Sequence, residues 1–351
     1  MAYIYEPERR VPVTAETDVL VVGGGIAGVS AALAAARSGA RTLLLEREFA
    51  LGGMATLGLI TIYLPLCDGM GHQVVHGIPE ELFRLSISLG AEAEYPSAWL
   101  DGGSVEDRCK QRFRVRFNPN LFVLLMERLL REHGVTILYG TVACGVEMDG
   151  DRVSSVITEN KSGRGAIKVK TVVDCSGDAD ICQLAGADTV VNPRGNGLAN
   201  WYYSFQNGKV DLNMFGLADV IPEERENYGT AKTDSIGSMR FSGVDGAELS
   251  EAVQTAHGLV LADVLRRRET APEFVPVSMS SIPLVRMSRR LCGRYTLEHG
   301  DDRRFMPDSI GMTGDWTRRG PIYEIPFSSL VGDRVRNLIT AGRIISTSDE
   351  V

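Results

Sequence analysis

The sequence predicts an α/β protein: a parallel sheet extended by an antiparallel β-meander, interrupted by an inserted α+β unit. Three observations lead there. Residues 18–46, DVLVVGGGIAGVSAALAAARSGARTLLLE, read as strand, glycine turn, helix and strand, because two short apolar runs flank a segment whose apolar residues recur at helical spacing. Residues 135–174 carry further strand-like runs, Val135–Leu138, Thr141–Met148, Val153–Thr158 and Ala166–Asp174, with turns at Asp149-Gly150-Asp151 and Lys161-Ser162-Gly163 between the last three. From Ala187 to about Pro321 the composition changes, with Trp201, Tyr202, Tyr203 and Phe205 among polar residues, before a last sheet-like run at Asn337–Ala341. The boundaries that follow are 14–186 and 325–351 for the sheet unit and 187–324 for the insertion. At 351 residues the chain is long enough for both.

The first strand, Val19–Val22, meets Gly23, Gly25 and Gly28 in the GxGxxG spacing. The first glycine permits the turn, the second lets a pyrophosphate approach the backbone, and the third lets the helix lie close to the strand. Helix amides from about Ile26 face that phosphate, and the helix dipole favours its charge. Glu46, about 18 residues after Gly28, ends the second strand, where a carboxylate accepts ribose hydroxyls and repels a 2′-phosphate; Arg47 beside it joins the candidate set. The unit is Rossmann-like and predicts a dinucleotide site.

Composition narrows the rest. The net charge of −8 gives no reason to expect nucleic acid as a partner. The six cysteines form no CxxC pair, so they read as reduced thiols of a cytoplasmic protein and neither zinc nor an iron–sulfur cluster is expected. No stretch approaches the roughly 18 apolar residues of a membrane-spanning helix, and the N-terminus has no apolar signal core. His72 and His76 have a metal-like spacing in the glycine-rich loop Cys67–Gly77, but lack a third ligand; no metal is predicted.

Further along, Glu80–Leu89 reads as a short amphipathic helix. Arg108, Lys110, Arg112, Arg114 and Arg116 alternate, so a strand would place all five on one face, either solvated or forming a positive wall for an anionic substrate. Asn118-Pro119 opens a helix closed by Gly134. In the insertion one long helix runs from Glu248 to about Arg268.

Several motifs together resemble a known family. Gly52-Gly53 six residues after Glu46 is similar to the two-dinucleotide-binding flavoproteins. GGMATLG followed by PLCDGMGHQVVHGIPEEL, the TVVDCSGDAD end of the meander, IPLVRMSRRLCGRYTL at Ile282–Leu297 and NLITAGRIIS resemble bacterial FAD-dependent oxidoreductases distantly related to fumarate reductase flavoproteins. The resemblance implies FAD as the cofactor, approached by Gly52 and Gly53, by the Val142 backbone at adenine, by Ser176, Gly177 and Asp178, and by Gly342 and Arg343. It also implies that the Cys67–Gly77 loop lines the flavin or substrate cavity. Met287 stands where the family carries an acid. The family continues into a further helix whose N-terminus faces the flavin; because the sequence given ends at Val351, the expectation is weak or absent FAD retention and an exposed apolar face on Asn337–Ala341, compatible with a homo-oligomer.

The expected chemistry is hydride transfer between flavin N5 and a small organic substrate. Arg286, Arg289 and Arg290 are the candidates for stabilising substrate or flavin charge, which makes an anionic substrate one expectation. Tyr323, His257 and His76 are the candidates for proton transfer. The alternatives are a nicotinamide-only dehydrogenase and a non-catalytic, FAD-deficient fragment or subunit.

Overall fold

A computed structural model describes residues 4, 8–193, 195–217, 236–316 and 318–348. The strands of its central sheet are β1 (Val13–Val22), β2 (Thr42–Leu45), β3 (Thr136–Leu138), β4 (Val142–Asp149), β5 (Arg152–Asn160), β6 (Gly163–Asp174) and β7 (Leu338–Thr340). The order is β3-β2-β1-β6-β5-β4, with β7 also on β6. Pairings among β3, β2, β1, β6 and β7 are parallel, whereas β4, β5 and β6 form the antiparallel meander. β6 serves both halves because it is long: residues 163–168 pair with β5 and residues 172–174 with β7.

The run Val19–Val22 is continuous in hydrophobicity because both faces of the sheet are covered. Leu20 and Val22 belong to one cluster, with Val172, Leu338 and Ile344, and Val21 to the opposite one, with Val29, Leu33 and Leu44. Strand β1 begins at Val13, earlier than the apolar run suggests, because Val13 to Thr17 pair with residues 166–169 of β6. Helix α1 (Ile26–Arg37) buries Val29, Ala32 and Leu33 against the sheet. Helix α2 spans Ile78–Ser86, ending before the expected Leu89.

The alternating basic residues do not form one strand. Ser104 accepts from the Asp107 amide and Asp107 returns a bond to the Ser104 amide, a capping box that starts helix α3 (Val105–Lys110). Only Val115–Arg116 is strand, and the charges go separate ways: Arg108 lies over Trp99, Lys110 pairs with Glu106, Arg112 donates to the Asp315 carbonyl and Arg114 pairs with Glu94. No positive wall results. Helix α4 (Pro119–Glu132) starts where expected, with Asn118 accepting from the Leu121 amide at 3.0 Å.

After β6 comes the short helix α5 (Asp180–Leu184). A three-stranded antiparallel sheet of Lys209–Asn213, Tyr202–Gln206 and Val275–Met279 then packs with helix α6 (Gly246–Arg268), whose Val260 and Val264 meet Tyr202 and Phe274. Arg289–Leu291 pairs with Thr189–Val191, and Ser309–Gly314 forms a hairpin with Ile322–Pro326. On the last strand Leu338 is 3% exposed and Thr340 fully buried on one face, while Ile339 and Ala341 on the other are partly buried against the opposite cluster. Among the described residues no helix is long and apolar enough to cross a membrane.

Candidate dinucleotide site

The carboxyl ends of β1 and β6 open onto a cleft with a cavity of about 200 Å³. Gly23, with φ +102°, makes the turn out of β1; a Cβ there would stand 2.3 Å from the Cys175 carbonyl oxygen. A Cβ at Gly28 would stand 1.8 Å from the Gly23 carbonyl oxygen, so this glycine sets how close α1 lies to β1. Gly25 differs: its Cβ would meet nothing within 4 Å, and the residue lines the cavity. It is also the N-cap of α1, which has no side-chain cap and no acid in its first turn. Helix amides at that end thus lack an intrahelical acceptor and suit an anion.

Glu46 is 7% exposed and does more than end β2. One carboxylate oxygen accepts from the Gly24 amide at 2.7 Å and the other from the Glu48 amide at 2.8 Å. Burial pushes its carboxyl up, opposed by those two bonds. Two of its roughly four acceptor sites are used, which leaves capacity for ribose hydroxyls on a carboxylate already fixed by the turn.

The opposite wall comes from the end of β6. Asp174 is fully buried and accepts from the Ser176 amide and hydroxyl and from the Cys182 amide, holding the 175–180 turn in place. Asp178 accepts from the Ser288 hydroxyl at 2.6 Å and from Arg343 at 3.0 Å. The structure thus brings Gly23, Gly25, Glu46, Arg47, Gly53, Val142, Ser176, Gly177, Asp178 and Arg343 onto one cavity. Gly28, Gly52 and Gly342 lie behind it; Gly52 donates to the Gly24 carbonyl at 2.8 Å, and a Cβ on Gly342 would press on Ala27 at 3.0 Å. An uncapped helix end, an open glycine and a fixed carboxylate fit a dinucleotide.

The catalytic candidates scatter. Arg289 reaches the Asp178 carbonyl at 3.3 Å and Asp180 at 3.9 Å, in a side cavity that it shares with Arg290 and Arg343. Arg290 donates to the Leu291 carbonyl and to Ser346, and exposed Arg286 lies over Trp316. Tyr323 is 2% exposed in a separate cluster with Leu297 and Met306, with its hydroxyl 3.1 Å from His299. His76 is exposed beside Glu80, and His257 lies on α6 at a different cavity. None of these three is among the residues that line the cleft. The Cys67–Gly77 loop also misses the cleft: Asp68 ties its own turn through the Met70 and His72 amides.

Sequence reading missed Asp180, Thr141 and the Ile282–Pro283 wall. Asp180 was legible only as the second acid of GDAD. Burial, with Asp178 and Asp174 nearby, pushes its carboxyl up to about 6. The fold therefore favours its neutral form, so its contribution to stability is present below the ordinary carboxylate range and is lost as pH rises through about 6. An anionic ligand in the cleft meets the same preference. Dinucleotide affinity is expected to rise severalfold from pH 7 to pH 5.5, and Asp180→Asn to remove most of that slope. Calorimetric titration at both pH values checks this; an unchanged slope in the variant would refute it.

A model of the family described as FAD dependent oxidoreductase matches residues 18–240 and 205–351. Aklavinone 12-hydroxylase of Streptomyces peucetius subsp. caesius is 31% identical over 105 residues, 28% of this chain and 19% of that protein. A thioredoxin reductase of Ureaplasma parvum serovar 3 is 30% identical over 76 residues, 22% of this chain and 25% of that protein. The chain therefore spans a quarter or less of the length of these curated relatives. Among solved structures, a geranylgeranyl bacteriochlorophyll reductase-like protein from Thermoplasma acidophilum is similar over 79% of this chain and 66% of its own, at 17% identity and a TM-score of 0.43. Since the family model runs from Asp18 to Val351, this chain belongs to the FAD dependent oxidoreductase family, and its cofactor is FAD.

Proposed function

We propose that the chain transfers a hydride between FAD and a small organic substrate, with the FAD held in the cleft between β1 and β6. The observation that carries the reading is Gly25, which has open space where a side chain would stand, at an uncapped helix end inside that cleft. FAD bound there supplies the hydride chemistry, which no side chain can. The chain's own residues hold and orient it: the first amides of α1 take the diphosphate, Glu46 accepts the ribose hydroxyls, and the Val142 backbone takes adenine. Ser176, Gly177, Asp178 and Arg343 flank the other half. Residues 187–324 supply the substrate contacts. In fluorescence titrations FAD should bind more tightly than NAD; equal or tighter NAD binding would overturn the reading.

Of the three arginines, Arg289 is the one proposed to stabilise negative charge on substrate or flavin. Its side chain is 16% exposed and stands next to the Asp178–Asp180 wall, whereas Arg286 is exposed. Arg289→Met is expected to slow flavin reduction by about 10-fold or more, the scale of a lost charge-stabilising donor, and Arg286→Met to leave it within twofold. Stopped-flow reduction by dithionite, compared with the melting temperature, separates the charge effect from loss of fold; equal rates in both variants would remove the role.

A further inference from the structure

A second cavity, of about 80 Å³, lies on the other side of the Ile282–Pro283 segment, which lines both cavities. Helix α6 runs past the two: Leu249 lines the cofactor cleft, and Ala252, Val253 and Ala256 line the second cavity. Most of that lining is apolar, and among the described residues it includes no carboxylate, lysine or arginine; its one ionisable group is His257.

Four lining residues break the pattern, Asn200, Ser280, Ser281 and the exposed His257 of α6, and two of them are buried without partners. Asn200 is 5% exposed and Ser280 4%, and neither Asn200 Oδ1 nor Ser280 Oγ has a hydrogen-bond partner among the described residues. Nearly all buried polar atoms in folded proteins are paired, because an unpaired one forfeits its hydration without return. Nor does loose backbone explain the pair. The Asn200 amide donates to the Phe215 carbonyl at 2.9 Å, the Ser280 amide to the Trp201 carbonyl at 3.1 Å, and the Ser281 amide to the Leu57 carbonyl at 2.9 Å. Leu57 in turn lines the cofactor cleft, so the same backbone bonds position both cavities.

We infer that this cavity binds a neutral, mainly apolar group carrying one hydroxyl, which donates to Asn200 Oδ1 and accepts from the Ser280 hydroxyl. A hydroxyl can both donate and accept, so one atom satisfies both partners. A carboxylate would lose its hydration with no lysine or arginine among the described lining residues to pair with it, and the one ionisable group there, His257, is exposed rather than within the cavity wall. That the group belongs to the substrate rests on the reading of the adjoining cleft as the FAD site, and it replaces the expectation of an anionic substrate with an uncharged alcohol at this position.

The test uses 1-butanol, with butyrate and butylammonium as charged analogues, and the full chain with labelled Leu, Val and Ile methyl groups. 1-Butanol is expected to produce saturable shifts at Leu198, Val253 and Leu284, and the charged analogues none. Ser280→Ala should weaken 1-butanol about fivefold, as for one lost hydrogen bond, and Val253→Phe, which fills the space, should abolish its binding. Absence of saturable shifts would overturn the inference, leaving a cavity that holds only water. Equal shifts from butyrate, or unweakened binding to Ser280→Ala, would overturn it too. FAD titration of the same samples keeps the two readings apart: if FAD fails to bind while 1-butanol behaves as stated, the cofactor assignment falls and the alcohol site stands.

Discussion

Gly25→Val is expected to lower FAD affinity by about 100-fold or more, the scale of a binding site blocked at its centre, while leaving the melting temperature within a few degrees of the parent. The two halves of that result have separate causes. The backbone at Gly25 has φ −64° and ψ 177°, a conformation open to any residue, and its Cβ would touch no protein atom. A valine there therefore costs the fold little and places its methyl groups in the space proposed for the diphosphate. Gly28→Ala should do the reverse. Its Cβ would fall 1.8 Å from the Gly23 carbonyl oxygen, so α1 must move off the sheet, at a cost on the order of 4 kcal/mol or more. Urea unfolding and FAD fluorescence titration of the two variants check the contrast. Undiminished FAD binding by Gly25→Val would end the diphosphate assignment, and a normally stable Gly28→Ala protein would contradict the packing.

That contrast also marks what the sequence could disclose. The crowding at Gly23 and Gly28 and the open space at Gly25 follow from spacing alone, because a βα turn imposes the same packing wherever it occurs. The sheet was legible for a similar reason: β2 and the carboxyl ends of β1 and β6 are short apolar runs next to turn residues, and local pattern decides them. Where a residue's partner is remote, the pattern was silent or misleading. The basic alternation from Arg108 to Arg116 looks like a strand face, but a capping box four positions upstream turns its first part into a helix. Nothing local in the sequence shows that Tyr323 packs with Leu297 and Met306, with His299 at its hydroxyl, rather than on the cleft. Glu46 was found by its position at a strand end, yet its bond to the Gly24 amide, which fixes the turn it faces, depends on how β2 lies beside β1. Nothing local in the sequence marks Asn200 and Ser280, 80 residues apart, as neighbours on one cavity.

Arg343→Met should be the most damaging substitution outside the glycine turn. The guanidinium donates through Nε to the Gly177 carbonyl at 2.6 Å, through Nη1 to the Val285 carbonyl at 2.9 Å, and through Nη2 to Asp178 at 3.0 Å. These acceptors lie on segments far apart in sequence, and Arg343 itself follows β7, so one planar group with several donors joins three parts of the chain. Lysine cannot replace it, because a single ammonium on a flexible stem cannot span those directions. The Arg343 side chain is 26% exposed and that of Asp178 15%. Among the described residues, removing the cation leaves the Asp178 carboxylate with only the Ser288 hydroxyl, whose proton is also directed at the Gly177 carbonyl. Breaking such a largely buried pair from one side costs about 3–5 kcal/mol, and because Gly177 and Asp178 line the cleft, FAD affinity should fall with it. The Asp178→Asn change removes the stranded charge, so Arg343→Met with Asp178→Asn should be more stable than Arg343→Met alone. Urea unfolding of the parent, both single variants and the double variant measures the coupling directly. Strictly additive losses would mean that Arg343 acts only through its two carbonyl bonds, and that the pair with Asp178 contributes nothing to holding the cleft.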